Sequence, residues 1–249
     1  MATCQPSSQW TTSPSCVANG ASALGAIPNC WSSVYVTVSG VYWIKPTTAA
    51  AFLVYCKVVN GKKYMEFQRR TSSGQIFYQN WATYAAGFGV VDNNDVSGSS
   101  FWLGLTLMSV MTAAPQACQL RVELQKQGAP TVYYADYSSF SISSASTNFV
   151  LTALGYSGTA GDALSGRHSG RPFSTFDSGV DTSCAVSYKS AWWYNSCHSS
   201  NLNGVYYEGN GGCHSNYADG TDWCATNSIT QCSGGCYYTS LTDWMMFTC

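Results

Sequence analysis

Twelve cysteines in 249 residues constrain this protein more than any other feature. The count is even, and the residues run from Cys4 to Cys249. A reducing cytosol rarely keeps so many thiols in a protein of this size, whereas an oxidising compartment turns them into crosslinks. The expected setting is therefore secreted and extracellular. The opening Met1-Ala-Thr-Cys-Gln-Pro6 lacks the basic start and apolar run of a leader. The expectation is thus a mature protein whose leader has been removed. Its longest apolar stretch, Ala49 to Tyr55, is far short of the ~20 residues of a spanning helix, so no membrane insertion is expected. No Asn-x-Ser/Thr acceptor occurs either.

Charge narrows the partners. Charged residues make up 9% of the sequence and the net charge is -1, against roughly 25% charged in an average domain. There is no basic field to hold nucleic acid or an anionic membrane. Solubility rests on Ser, Thr, Asn, Gly and Tyr, a surface suited to neutral polar ligands. With 45% hydrophobic and 14% aromatic residues, the protein can bury a sizeable core.

Local signals divide the sequence. Residues 1–28 are rich in Ser, Thr, Ala and Pro and read as an irregular N-terminal segment tied by disulfides, with Cys4 and Cys16 near enough to pair. Residues 33–45 alternate through Val34, Val36, Val38, Val41 and Trp43 and predict strands on both sides of Ser39-Gly40. Phe52 to Val59 predicts another strand, and Asn60-Gly61 a tight turn after it. Asn80 to Ala86 predicts a short helix ended by Gly87. Phe101-Trp-Leu103 opens a helical segment from Leu105 to Thr112. Leu120 to Leu124 and Thr131 to Tyr134 predict paired strands. After about residue 156 the sequence is rich in Gly, Ser, Asn, Cys and Tyr and holds seven of the cysteines: Cys184, Cys197, Cys213, Cys224, Cys232, Cys236 and Cys249. Binding residues tend to sit on such loops when a scaffold holds them.

Three stretches occur in an order that identifies a family. They are Phe67-Gln-Arg-Arg70 with Phe77-Tyr-Gln-Asn-Trp81 and Gly87-Phe-Gly89; Phe101-Trp-Leu-Gly104; and the run from Cys184-Ala-Val-Ser-Tyr-Lys-Ser-Ala-Trp-Trp-Tyr through Cys197-His198 to Gly204. Tyr134 to Phe140, Gly161-Asp162 and Phe173-Ser-Thr-Phe-Asp177 fill the gaps. From about residue 30 onward the sequence resembles a fibrinogen-related domain, the module of ficolins, tachylectins and the fibrinogen globular ends. The resemblance implies an α+β fold: one fibrinogen C-terminal-like globular domain over 29–249, loop-rich and disulfide-stapled in its C-terminal part, with a binding subdomain at about 156–249. It implies the disulfides Cys30–Cys56 and Cys184–Cys197. Eight cysteines remain, which allow 105 pairings, and none is assigned.

Acetyl-binding members of that family accept the acetyl methyl in an aromatic funnel beside the His after the second pocket cysteine. The matching ligand-binding positions here are Tyr188, Cys197, His198, Tyr217, Ala218 and Tyr237. Aromatic rings would bury the methyl, and donors from His198 and backbone N–H groups would select the carbonyl. Trp192 and Trp193 are expected in the core. The family also implies a cis peptide at Ser196–Cys197. Several residues are inserted between Cys224 and Cys236 relative to the family, and they are expected to reshape the wall near Tyr237 or narrow the mouth.

The resemblance thus implies a secreted lectin that binds acetylated carbohydrates, such as N-acetylated sugars on microbial surface polysaccharides, in innate immunity. A homo-oligomer would supply avidity. The alternative is a protein–protein interaction or structural module without sugar binding. Fibrinogen grips a peptide amino terminus with carboxylates at two positions that are Tyr188 and Ala218 here, so charged peptide ends would lack their partners. The family's calcium loop falls at Asp177-Ser-Gly-Val-Asp181-Thr-Ser-Cys184, about three residues short and without its Asp-x-Asp pair. Two readings stand: Asp177 and Asp181 hold a weak calcium ion, or the site is lost and disulfides hold the region. No organic cofactor is implied.

An enzyme is not expected. Cys197 should be oxidised, which removes a Cys–His dyad with His198. Asp219 and Asp222 have no nucleophile linked to them by spacing. Cys213-His214 with Cys232 and Cys236 formally matches a zinc set, but secretion favours disulfides.

Overall fold

A nine-stranded sheet organises the computed structural model, which describes residues 25–32, 34–94, 99–126, 129–208, 213–214, 218–225, 237–238 and 240–249. Strands β1 (Gly40–Ile44), β2 (Phe52–Val59) and β3 (Lys62–Arg70) come first. Asn60 and Gly61 join β2 to β3 with φ of 49° and 79°. Two left-handed residues match the twist of the strands they connect, which is why Asn-Gly makes this hairpin. Helix α1 (Trp81–Ala86) follows, with the Asn80 side chain accepting from the Thr83 N–H and Gly87 at φ 95° ending it. Then come β4 (Phe88–Gly89), β5 (Phe101–Trp102), α2 (Leu105–Thr112), β6 (Cys118–Lys126), β7 (Val132–Ile142) and β8 (Leu151–Gly158). The remaining elements are α3 (Thr182–Ser187), β9 (Ser200–Asn201), β10 (Cys213–His214), β11 (Asp222–Trp223), β12 (Tyr237–Tyr238) and β13 (Ser240–Thr248).

The main order is β1-β2-β3-β13-β6-β7-β8, with β5 pairing β3 and β4 at the side. The last strand therefore lies between the N-terminal hairpin and the central one. Its pairing runs to Thr248 opposite Gln119. One step further, Cys249 is bonded to Cys118 across 131 residues. This crosslink locks the sheet's most non-local strand. Cys30–Cys56 ties the segment entering the sheet to β2.

The expected strand before Ser39 does not form. Only Gly40–Ile44 pairs with β2, and Val34 and Tyr35 are 77% and 74% exposed. The extension is blocked chemically. Ser39 Oγ accepts the Val58 N–H at 2.9 Å, and the Tyr42 hydroxyl donates to Val38 O at 2.9 Å. Side chains have taken the backbone groups a longer ladder would use.

The sheet and the loop-rich half share one aromatic core. Phe67 stacks on Phe140, and both touch Phe247. Trp102 continues this core to Tyr84, Phe173 and Trp193. Two buried polar side chains of β3, Gln68 and Arg70, fasten the halves. Gln68 Nε2 donates to Leu202 O at 3.1 Å and to Asp243 Oδ1 at 2.8 Å. Arg70 Nη1 donates to Leu202 O at 3.2 Å and Gly204 O at 2.8 Å, its guanidinium lying 4.0 Å over the Phe77 ring. Arg69 pairs with Glu66 at 2.6 Å and Asp92 at 3.1 Å. The Arg69 charge is paired because an unpaired buried ion is strongly disfavoured.

Candidate functional site

The end of α3, the turn at 195–198 and the segment from Ala218 to Trp223 form the candidate site. Cys184 in α3 is disulfide-bonded to Cys197, thirteen residues on. Between them Trp192 and Trp193 are fully buried. Trp193 packs edge-on to Phe173, and its Nε1 donates to Phe149 O at 2.8 Å. Trp192 and Ser174 exchange backbone bonds of 3.1 and 2.9 Å. Both tryptophans anchor the loop that carries the candidate residues.

The turn itself corrects one expectation. The Ser196–Cys197 peptide is trans, and Ser196 and Cys197 instead take φ of 52° and 73°. Two consecutive left-handed residues reverse the backbone, and the Asn195 N–H donates to Cys197 O at 2.9 Å. Left-handed backbone costs non-glycine residues about 1–2 kcal/mol each, so the turn needs outside support. The Cys184–Cys197 bond supplies part of it. Arg167 adds more, donating to Asn195 O at 3.0 Å and Ser196 O at 3.3 Å.

His168, which no sequence signal singled out, completes the support. It is fully buried. Its Nε2 accepts the N–H groups of Ser199 at 3.1 Å and Ser200 at 3.2 Å, so Nδ1 carries the proton and donates to Trp193 O at 2.7 Å. One neutral ring thus spans both ends of the 193–200 loop. Burial is the main cause that lowers its pKa to about 3. Its surroundings, Gly166 to Gly170, read as an ordinary polar turn in sequence.

His198 has a settled tautomer as well. Its Nε2 lies 3.0 Å from Ala218 O, and a carbonyl only accepts, so Nε2 holds the proton. Nδ1 is then an acceptor, buried and without a hydrogen-bond partner. The imidazole's donor is spent on Ala218. Tyr188, at the C-terminus of α3, packs edge-on against this ring at 4.5 Å, and Tyr194 lies at 6.2 Å. Burial is the first cause lowering the His198 pKa to about 4, with Arg167 adding to it against the Ala218 bond. The structure therefore brings Tyr188, Cys197, His198 and Ala218 together. Tyr217 lies outside the described residues. Tyr237 sits in β12 opposite His214, with its side chain outside the description.

Ala218 is itself left-handed, at φ 51°. Beside it, Asp219 accepts from Lys189 Nζ at 2.9 Å and the Tyr207 hydroxyl at 2.8 Å. Asp222 is different. It pairs with Asn201 in the β11–β9 ladder, is buried, and neither carboxyl oxygen has a hydrogen-bond partner. Burial first, and the Asp219 charge second, push its pKa up to about 8. Trp223 next to it is fully buried and donates to Ala160 O and Gly161 O, holding the strand in place. In the sequence Asp222 stands only as a carboxylate with no nucleophile linked to it, and nothing there shows this isolation.

The Asp177–Asp181 loop closes on protein groups. Asp177 Oδ1 accepts the Trp81 N–H at 2.9 Å and the Thr175 hydroxyl at 2.7 Å. Ser178 O accepts the Thr175 N–H at 2.8 Å, and Asp181 O accepts from Cys184 and Ala185. Calcium asks for six to eight oxygens. This loop supplies two carboxylates, and its Ser178 and Asp181 carbonyls are already engaged, which is a poor fit to that requirement. No cluster of three or more His, Cys, Asp or Glu side chains placed to hold a metal ion occurs among the described residues. Cys197 is oxidised, so it has no thiolate to offer His198. No described helix is long and apolar enough to cross a membrane.

Residues 32–238 match the family model of the C-terminal globular domain of fibrinogen beta and gamma chains. The protein is 42% identical over 193 residues to tenascin of Mus musculus, a match that spans 75% of the present sequence and 8% of that protein. It is 39% identical over 193 residues to Ryncolin-4 of Cerberus rynchops, with 75% and 52% spanned. It therefore spans about half or less of the length of these relatives. Among solved structures, lamprey fibrin D-dimer complexed with the peptide Gly-His-Arg-Pro-amide aligns with a TM-score of 0.72 and 30% identity, over 84% of the present sequence and 68% of that one.

Proposed function

The protein belongs to the fibrinogen C-terminal domain family, and from that premise we propose that it is a secreted lectin module binding the acetyl group of N-acetylated sugars. The carrying observation is the edge-on Tyr188–His198 pair at 4.5 Å, set on a disulfide-held turn. That pair offers a small apolar wall for a methyl group. The His198 donor is engaged by Ala218, so the acetyl oxygen is met by backbone N–H groups of the Cys197–His198 turn, and the imidazole shapes the wall. Tyr188 and Ala218 bring no charge, which favours a neutral acetyl group over a peptide ammonium such as the lamprey fibrin ligand carries. The module binds rather than catalyses, and its ligands are glycans of microbial surfaces. The 177–184 loop keeps its shape through its own hydrogen bonds, without calcium.

The test is retention on an acetylated resin. N-acetylglucosamine or acetate should elute the protein, with or without EDTA, and His198→Ala should not be retained. Wild type that flows past every acetylated resin refutes the reading. A second reading, a protein-interaction module, draws on the exposed Val34, Tyr35 and Val38 ahead of β1. It predicts partner binding that His198→Ala leaves intact.

A further inference from the structure

One exposed aromatic pair serves neither the core nor the pocket. Tyr78 and Phe176 lie 4.9 Å apart between ring centroids, and are 38% and 36% exposed. They come from separate loops that are tied together at the next residues. Asp177 Oδ1 accepts the Trp81 N–H, and the Thr175–Ser178 bond closes the second loop. Gly179, at φ 107°, lets that loop pass so close that any Cβ there would fall 2.5 Å from Ser174 Oγ. On the other side, Gln79 Nε2 braces Ile76 O at 3.0 Å. The rings are therefore presented on fixed backbone, which lowers the ordering cost of binding.

We propose that Tyr78 and Phe176 form a second subsite, which stacks the pyranose adjoining the acetylated residue, so that the ligand is a linear oligosaccharide rather than a single sugar. The inference rests on the acetyl-pocket reading. Two observations carry it. The first is continuity. Ser174, two residues before Phe176, exchanges backbone hydrogen bonds with Trp192, and Tyr194, two residues after Trp192, packs against His198 at 6.2 Å. That bridge joins the loop carrying Phe176 to the segment that carries the pocket wall. The second is charge. The carboxylate next to Phe176 in sequence, Asp177, has one oxygen turned into the loop's hydrogen bonds, and Ile76 near Tyr78 is apolar and exposed. A neutral aromatic platform fits the C–H face of a neutral sugar ring.

Calorimetry with N-acetylglucosamine and its linear β-linked trimer tests the proposal. Wild type should bind the trimer about tenfold more tightly than the monomer, after correction for the number of equivalent residues. Tyr78→Ala or Phe176→Ala should reduce trimer affinity to that of the monomer and leave monomer affinity unchanged. Tyr78→Phe should keep the difference. A wild-type trimer that gains nothing over the monomer overturns the subsite and leaves the pocket standing. The subsite also falls if the alanine variants weaken both sugars equally, or if an apolar peptide displaces neither sugar yet binds the wild type in a Tyr78-dependent way. If neither sugar binds wild type, the pocket reading fails and takes the subsite with it.

Discussion

Replacing Asp222 by Asn should stabilise this protein, and by an amount that depends on pH. The Asp222 carboxyl is buried, has no hydrogen-bond partner, and titrates near 8 in place of the 3.8 of an unfolded carboxyl. Its folded pKa is the higher one, so the unfolded state releases the proton first. Stability from this group is complete below pH 3.8 and is lost progressively as pH rises to about 8, beyond which the loss is constant. At pH 7 the fold holds a proton that water would remove, about three pH units at roughly 1.4 kcal/mol each, or about 4 kcal/mol. Asn keeps the shape and needs no proton, but it brings one further amide hydrogen to satisfy, at about 1–3 kcal/mol. The net gain should be about 1–3 kcal/mol near neutral pH. Urea unfolding with disulfides intact, at intervals from pH 4 to pH 8.5, measures it. The difference between Asp222→Asn and wild type should be smallest at pH 4 and grow until about pH 8. Asp222→Asn retains part of the wild-type slope through Asp243, which burial raises to about 7. A difference that stays flat across this range refutes the isolation of Asp222.

Other consequences are equally direct. His168→Leu leaves the Ser199 and Ser200 N–H groups without their buried acceptor and should cost about 2–4 kcal/mol in urea unfolding. Arg70→Met removes the donor to Leu202 O and Gly204 O and the counter-charge of Asp243. It should cost about 3–5 kcal/mol, with faster amide hydrogen exchange at residues 200–204. His198 titrates near 4 when folded and 6.5 when unfolded. Its contribution is therefore complete above pH 6.5 and falls through pH 4, and retention on an acetylated resin should fade below about pH 4 as Nδ1 gains a buried proton. EDTA should leave the melting temperature unchanged, and a marked drop would show that the Asp177–Asp181 loop holds a metal after all.

Several elements were legible from neighbouring residues alone. Asn60-Gly61 specifies its hairpin because only residues tolerant of positive φ make that turn. Asn80 and Gly87 bound α1 because one caps the first free N–H groups and the other ends the helix left-handed. Tyr188, Cys197, His198 and Ala218 were legible as a set through the family motif, and the fold brings them together.

The rest depends on residues far apart in sequence. Val34 to Val38 carries strand periodicity, yet periodicity cannot show that Ser39 and Tyr42 will take the backbone partners. The central position of β13 and the Cys118–Cys249 bond follow from closing a loop of 131 residues, for which no local propensity exists. Twelve cysteines, low charge and the aromatic motifs determined by themselves the compartment expected and the fold family. Only the tertiary structure decided that the Cys197 turn is trans and left-handed, that His168 braces it, that His198 spends its proton on Ala218, and that Asp222 stands alone. Each of those is a matter of which polar group meets which partner out of reach of water, and burial is a property of the assembled fold.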